Sequence, residues 1–185
     1  MSEKVVLERD DLRRTLKRIA HEIAEKNPDA DGLAIVGIHT RGAILARRLH
    51  AILGELTRTE LPIGDIDISF YRDDVGAGRS PAAQPVVHSS HIDFDLADRT
   101  VVLVDDVLFT GRTVRAAIEA VFDYGRPRRV QLAVLCDRGH RELPFRPDYV
   151  GKNLPTAREE RVNVRLEECD EVDQVTISEQ AEVAA

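Results

Sequence analysis

Between Leu12 and Ala24 the apolar positions Leu12, Leu16, Ile19, Ala20, Ile23 and Ala24 recur at helical spacing, which predicts an amphipathic helix with one buried stripe. Asp10 or Asp11 is expected to cap it, and Asn27-Pro28 to end it. The period then changes. Residues 32–38 are nearly all apolar and rich in β-formers, as a strand buried on both faces should be. A second helical pattern covers about 43–53, and the alternation of Ile66, Ile68 and Phe70 predicts a strand over 65–70. Residues 73–90 are rich in Gly, Ser, Pro and Ala and have no period. They read as a long loop, which in a compact domain is usually functional or mobile. A buried strand at 100–104, a helix over about 113–124 and a buried strand at 130–135 follow. Past Asp137 the chain is Pro- and Arg-rich to about Pro155, then shows two short strands, 162–166 and 174–177, and a frayed tail. Strands alternating with helices imply βαβ units, hence an α/β fold with a central parallel sheet flanked by helices.

Composition narrows the class. A chain of 185 residues with 43% hydrophobic and 32% charged residues suits one globular domain over 1–185 and excludes disorder of the whole. No apolar run approaches the ~20 residues that span a bilayer, and Met1-Ser2-Glu3-Lys4 opens no signal peptide. Cys136 and Cys169, neither in a CxxC, make no disulfide framework or zinc site. A soluble, cytoplasmic protein is expected. The net charge of −7 belongs entirely to residues 159–185, where nine acids face only Arg161 and Arg165, so a basic patch elsewhere is not excluded. Of 26 basic residues 22 are Arg, which suits phosphate recognition but equally reflects genomic composition.

The chemistry concentrates in Val101-Val102-Leu103-Val104-Asp105-Asp106-Val107-Leu108-Phe109-Thr110-Gly111-Arg112-Thr113. A buried strand delivers two carboxylates at its C-terminal end, where open α/β sheets bind ligands. Thr110-Gly111-Arg112-Thr113 then opens a helix, and its backbone N–H groups, hydroxyls and Arg make a site for a phosphate monoester. Carboxylates repel a phosphate, so the pair is expected to hold another part of the same ligand. Vicinal ribose hydroxyls, both donors, fit, and the inferred ligand is a ribose 5-phosphate derivative. Neither GxxxxGK[ST] nor GxGxxG occurs.

This segment resembles the 5-phosphoribosyl-1-pyrophosphate (PRPP) motif of type I phosphoribosyltransferases. From Val6 to about Ser178 the chain resembles, within them, the bifunctional regulators of pyrimidine operons that are also uracil phosphoribosyltransferases. The resemblance also rests on Arg18-Ile19-Ala20-His21-Glu22-Ile23, Gly37-Ile38-His39-Thr40-Arg41-Gly42 and Tyr71-Arg72-Asp73-Asp74, and on Asp137-Arg138-Gly139-His140-Arg141-Glu142-Leu143-Pro144 and Gly151-Lys152-Asn153-Leu154-Pro155. It implies a type I phosphoribosyltransferase fold with a small hood at about 137–178, a flexible loop at about 72–90 and an acidic C-terminal tail. It implies that Thr40, Arg41 and Gly42 cradle pyrophosphate, with the Thr40–Arg41 peptide cis. Asp105, Asp106, Val107, Leu108, Phe109, Thr110, Gly111, Arg112 and Thr113 would complete the PRPP or UMP site. Arg41, Arg72, Asp105 and Asp106 would be catalytic, and Mg²⁺ would bind with PRPP rather than in a dedicated protein cage. His39 stands where the family often has Lys. Arg79 and the histidines His88, His91 and His140 read as surface or loop residues.

Purine-using relatives tend to have an acid where this chain has Phe109, so a pyrimidine acceptor is expected. Asp137, Arg138 and Val162 would form the uracil pocket. The resemblance further implies binding of a pyrimidine-operon (pyr) mRNA leader, regulated by UMP or UTP, through basic residues. Arg14, Arg18 and His21 share one helical face, and Arg141, Arg146 and Lys152 are later candidates. With aromatics at 4%, extensive base stacking is not expected. A homo-oligomer, dimer or larger, and no membrane partner complete the expectation. Two alternatives stay open: a phosphoribosyltransferase for another base without RNA binding, and a non-enzymatic RNA-binding nucleotide sensor.

Overall fold

The computed structural model describes residues 3–69, 71 and 90–179. Five strands form a parallel sheet in the order β3-β2-β4-β5-β6: β2 (Leu33–Ile38), β3 (Ile63–Ile66), β4 (Thr100–Leu108), β5 (Arg129–Asp137) and β6 (Tyr149–Asn153). Helices α1 (Arg9–Lys26) and α2 (Arg41–Thr57) cover one face, and α3 (Arg112–Tyr124) the other. Alternate residues of one strand serve the two layers. Leu33 and Ile35 pack with Leu12, Leu16, Ile19, Leu45 and Leu49, whereas Ala34, Val36 and Ile38 pack with Val114, Ala117 and Val121. This is why the strands read as unbroken apolar runs.

A separate antiparallel sheet, β1 (Glu3–Glu8), β8 (Gln174–Glu179) and β7 (Glu160–Arg165), with the single-turn α4 (Glu167–Asp170), stands where a hood is expected over about 137–178. It draws in β1, while β6 of that span belongs to the parallel sheet, and this smaller unit is the hood of the chain. Leu7, Val162, Val164, Leu166 and Val175 join the core beneath α1 and α2. Among the described residues no helix is long and apolar enough to cross a membrane.

Several boundaries move. Helix α1 starts at Arg9, with Glu8 as N-cap, and Asp11 sits in its first turn, where Oδ2 accepts the Glu8 N–H at 3.2 Å. The expected caps are therefore helical residues. The strand expected over 65–70 ends at Ile66, because the Asp67 carboxylate accepts the Ser69 N–H (2.8 Å) and hydroxyl and turns the chain. Strand β4 runs four residues further than expected and carries both acids within it.

Arg48 on α2 holds the hood down. Its guanidinium bonds Glu168 (2.8 and 2.5 Å) and Asp173 (3.0 and 2.7 Å). The Arg48 bonds hold Glu168 below the usual carboxylate range. Burial alone would raise Asp173, but Arg48 and the Glu167 N–H outweigh it and lower it too. A carboxylate whose folded pKa is depressed adds stability above its unfolded pKa and loses it as pH falls through the folded value. The clamp should thus be complete above about pH 5 and drain below about pH 4. Urea melts of Arg48→Gln across pH 3–7 should show lower stability near neutrality and a flatter acid limb. A variant with an unchanged acid limb would remove the clamp from this account.

Candidate active site

The C-terminal ends of β2, β3 and β4 meet around an open cavity of about 360 Å³ lined by His39, Thr40, Arg41, Asp67, Ile68, Ser69, Asp105, Asp106, Val107 and Thr113. In-register pairing of β2 with β4, up to Gly37 against Val104, sets the loop after β2 beside the acids. The two elements nearly touch: a Cβ on Gly42 would lie 2.4 Å from the Val104 carbonyl oxygen and 3.1 Å from Asp105 Cα.

Asp105 is buried and its Oδ1 accepts the Asp106 N–H at 2.9 Å; Asp106 Oδ1 accepts the Val107 N–H at 2.7 Å. Burial pushes Asp106 up, against the opposing pull of the Val107 N–H and the Arg41 guanidinium. Two carboxylates thus line the cavity, each with one oxygen held by a backbone N–H. The cis peptide lies between His39 and Thr40, one bond before the expected place, since Arg41 already starts α2. His39 Nε2 is 2.5 Å from Asp65 Oδ1.

The turn that opens α3 runs through Thr110 and Gly111. Gly111 takes φ +93°, and a Cβ there would meet Phe145 Cδ2 at 2.9 Å, so only glycine fits. Thr110 Oγ1 accepts the Arg112 N–H at 3.3 Å, while the Thr110 carbonyl accepts the Glu142 and Leu143 N–H groups at 3.0 Å each. Arg112 Nε reaches Glu142 Oε2 at 2.9 Å, so its guanidinium also braces the loop against segment 138–148. Leu108 is buried under α3, and Phe109 lies beside His140, ring centroids 6.0 Å apart.

The residues expected at a base divide. Asp137 and Arg138 end β5 at the same sheet edge, but Asp137 is bonded to the Gly139 N–H (3.0 Å) and to Arg141 (2.5 Å). Arg138 is buried, stacks 4.1 Å above Phe109, and donates through Nε and Nη2 to Thr156 Oγ1 and the carbonyls of Ala157 and Arg158. Those donors hold the 156–158 loop rather than offering a fork to a pyrimidine edge. The Val162 side chain is packed in the core.

The basic candidates divide as well. Arg14, Arg18 and His21 are exposed on α1, with Arg14 paired to Asp11 (2.7 Å) and Arg18 to Glu22 (2.6 Å). Arg18 also donates to the Val150 and Gly151 carbonyls of β6, and Lys152 Nζ to the Val6 carbonyl. These contacts gather Lys152 with the α1 face. Arg146 is exposed in segment 138–148, whereas Arg141 turns inward, donating to Phe109, Phe145 and Asp137. Arg141 is a bracing residue in this fold. Arg72, Arg79 and His88 lie outside the described residues; Tyr71 is bonded through its hydroxyl to Asp123. Asp67 and Ser69 line the cavity without having been singled out, although the alternation from Asp65 to Ile68 already set Asp67 on one strand face. Burial pushes Cys136 up to about 12 and also raises Cys169, which disfavours the thiolate at both.

The family model of the phosphoribosyl transferase domain matches residues 7–168. The fold is similar to that of the hypoxanthine phosphoribosyltransferase of Trypanosoma cruzi, with TM-score 0.71 and 19% identity over 96% of this chain and 97% of that one. It is also similar to a purine phosphoribosyltransferase from Pyrococcus horikoshii, with TM-score 0.59 and 28% identity over 82% and 87% of the chains. Fold and site together are those of a phosphoribosyltransferase. The chain is 59% identical over 170 residues to the Bifunctional protein PyrR of Roseiflexus sp. (strain RS-1), covering 92% of this chain and 91% of that protein. It is 51% identical over 173 residues to that of Listeria welshimeri, covering 94% of each. It belongs to the PyrR family of bifunctional proteins.

Gly42→Ala forces backbone against backbone at the acid pair. Overpacking of this kind should cost about 1–3 kcal/mol by urea denaturation. Wild-type stability in the variant would mean that the loop yields without cost.

Proposed function

We propose that this protein transfers the phosphoribosyl group of PRPP to uracil, giving UMP and pyrophosphate, and that it binds a pyr mRNA leader in response to UMP or UTP. The observation that carries the catalytic half is the convergence of Asp105, Asp106, Thr40 and Arg41 with Thr113 of α3 on one cavity at the carboxyl edge of the sheet. The Asp105–Asp106 pair accepts the two ribose hydroxyls. Backbone N–H groups of residues 110–113 and the Thr110 hydroxyl hold the 5-phosphate at the start of α3. Thr40, Arg41 and adjacent amides hold the pyrophosphate, where negative charge grows as the anomeric carbon passes through an oxocarbenium-like state. Arg72, expected as a further catalytic cation, lies outside the described residues.

Mg²⁺ fits the hard oxygen donors of Asp67, Asp105 and Asp106 around the cavity. Among the described residues no group of three or more His, Cys, Asp or Glu forms a metal cage, so ligand oxygens and water would supply most of the coordination. When bound it neutralises pyrophosphate charge.

Phe109, which offers an apolar ring and no acid after the acid pair, favours a pyrimidine. Backbone groups at the end of β5 and near Val162, rather than the Arg138 fork, then read the uracil edge. Arg14, Arg18, His21 and Lys152 form the RNA face, with Arg146 as a further contact; their chemistry suits phosphates and 2′-hydroxyls. A cytoplasmic homo-oligomer is the working form.

Asp105→Asn with Asp106→Asn should lower kcat/KM for PRPP by roughly a hundredfold or more while the protein stays folded. Near wild-type uracil transfer by this variant would refute the ribose assignment, and a base panel preferring hypoxanthine would refute the pyrimidine one. For RNA, Arg14→Gln should leave transfer intact and flatten the log–log salt dependence of leader binding by about 0.7–0.9, one phosphate contact. An unchanged slope would take Arg14 out of the interface.

A further inference from the structure

Three arginines converge on the acidic turn at α4. Arg9, the first residue of α1, pairs with Glu167 (2.9 Å), and Arg48 of α2 with Glu168 and Asp173. Arg41, which lines the cavity, donates through Nη2 to both oxygens of Asp170, at 2.8 and 3.0 Å. The Asp170 carboxylate is fixed from behind, because Oδ2 accepts the Leu166 N–H and the Cys169 thiol, each at 3.0 Å. With 22% of the Asp170 side chain exposed against 36% for Arg41, the pair is not a fully solvated surface bridge.

Arg41 stands between two centres of negative charge. One is Asp170 in the hood, and the other is Asp106, which lines the same cavity as Arg41 and whose carboxyl the Arg41 charge pulls down against burial. Arginine on a long, rotatable stem moves to whichever carboxylate is available in a partly desolvated site. With Asp170 removed, the Asp105–Asp106 pair of the same cavity remains to attract Arg41. The guanidinium would then close over the acceptors needed by the ribose and leave the pyrophosphate loop without its cation.

We propose that Asp170 is a positioning residue of the transfer reaction, anchoring the Arg41 guanidinium beside the cavity and keeping it off Asp105 and Asp106. The proposal rests on the phosphoribosyl-transfer reading above. Its effect falls on ligand binding, since Arg41 must be in place before PRPP arrives, and less on the chemical step once PRPP is bound.

The test is steady-state uracil transfer by the full-length protein as PRPP is varied, for Asp170→Ala, Asp170→Asn, Arg41→Ala and the Asp170→Ala/Arg41→Ala double variant. Calorimetric titration with Mg²⁺ and inorganic pyrophosphate runs in parallel. Asp170→Ala should raise the KM for PRPP about tenfold or more, with kcat changing less than about threefold. Asp170→Asn, which keeps an acceptor oxygen but not the charge, should fall between. In the Arg41→Ala background, Asp170→Ala should add nothing further, because its effect passes through Arg41. A purely structural Asp170 would lower Tm and the yield of active protein but leave KM in place. A KM within twofold of wild type in folded Asp170→Ala, or effects that add in full to those of Arg41→Ala, would overturn the proposal. If Asp170→Ala does not fold, Asp170→Asn decides by the same comparison. Absence of uracil transfer in the wild type would refute the catalytic reading alone. Asp170 would then stand or fall on whether its replacement weakens pyrophosphate binding.

Discussion

The parallel pairing of β2 with β4 is the constraint on which the site depends. Their register brings Gly37 level with Val104, so the loop after β2 leaves the sheet beside the acids that β4 carries near its C-terminal end. Gly42 then lets the start of α2 lie against the Val104 carbonyl. A side chain at that position would separate the loop after β2 from the carboxylates. Strands buried on both faces make the register hard to slip, because a shift of one residue would exchange the α1–α2 layer with the α3 layer.

Electrostatics does a second kind of work here. Many of the arginines described are engaged inside the protein: Arg41 and Arg48 on the hood, Arg112 on Glu142, Arg138 over Phe109, and Arg141 on Asp137. The planar guanidinium bonds several acceptors at once and so ties segments that share little apolar surface. Segment 138–148 is braced in this way against the phosphate loop, and the hood against α2. The site is therefore framed by charged contacts on a hydrophobic platform. Such contacts respond to pH and ionic conditions more readily than the core beneath them.

The sequence by itself determined the α/β class, the buried strands, the α1 stripe and the acid pair with the strand-to-helix turn that follows it. These features are local: period, burial on both faces, and a strand-to-helix turn are written within a dozen residues. It also carried enough likeness to identify the family before any coordinates. Strands β1 and β6 were not legible, because neither shows a clear alternation. β1 is paired with β8 from the far end of the chain, and β6, with Gly151, Lys152 and Asn153, has weak β propensity and is held by β5.

Only the tertiary structure decided how the basic residues are used. In the sequence Arg138 and Arg141 look as available as Arg14 or Arg146, since nothing local separates an arginine facing a ligand from one bonded to a distant carbonyl. Folding brings Arg138 to the 156–158 loop and Arg141 to Phe109 and Asp137, while Arg14 stays on an open helix face. The same holds for Asp170, which reads as one acid in an acidic stretch until the hood sets it on Arg41, 129 positions away. A side chain's chemistry is local, but its partner is chosen by the packing of elements remote in sequence, and that choice settles which charges serve the site and which brace it.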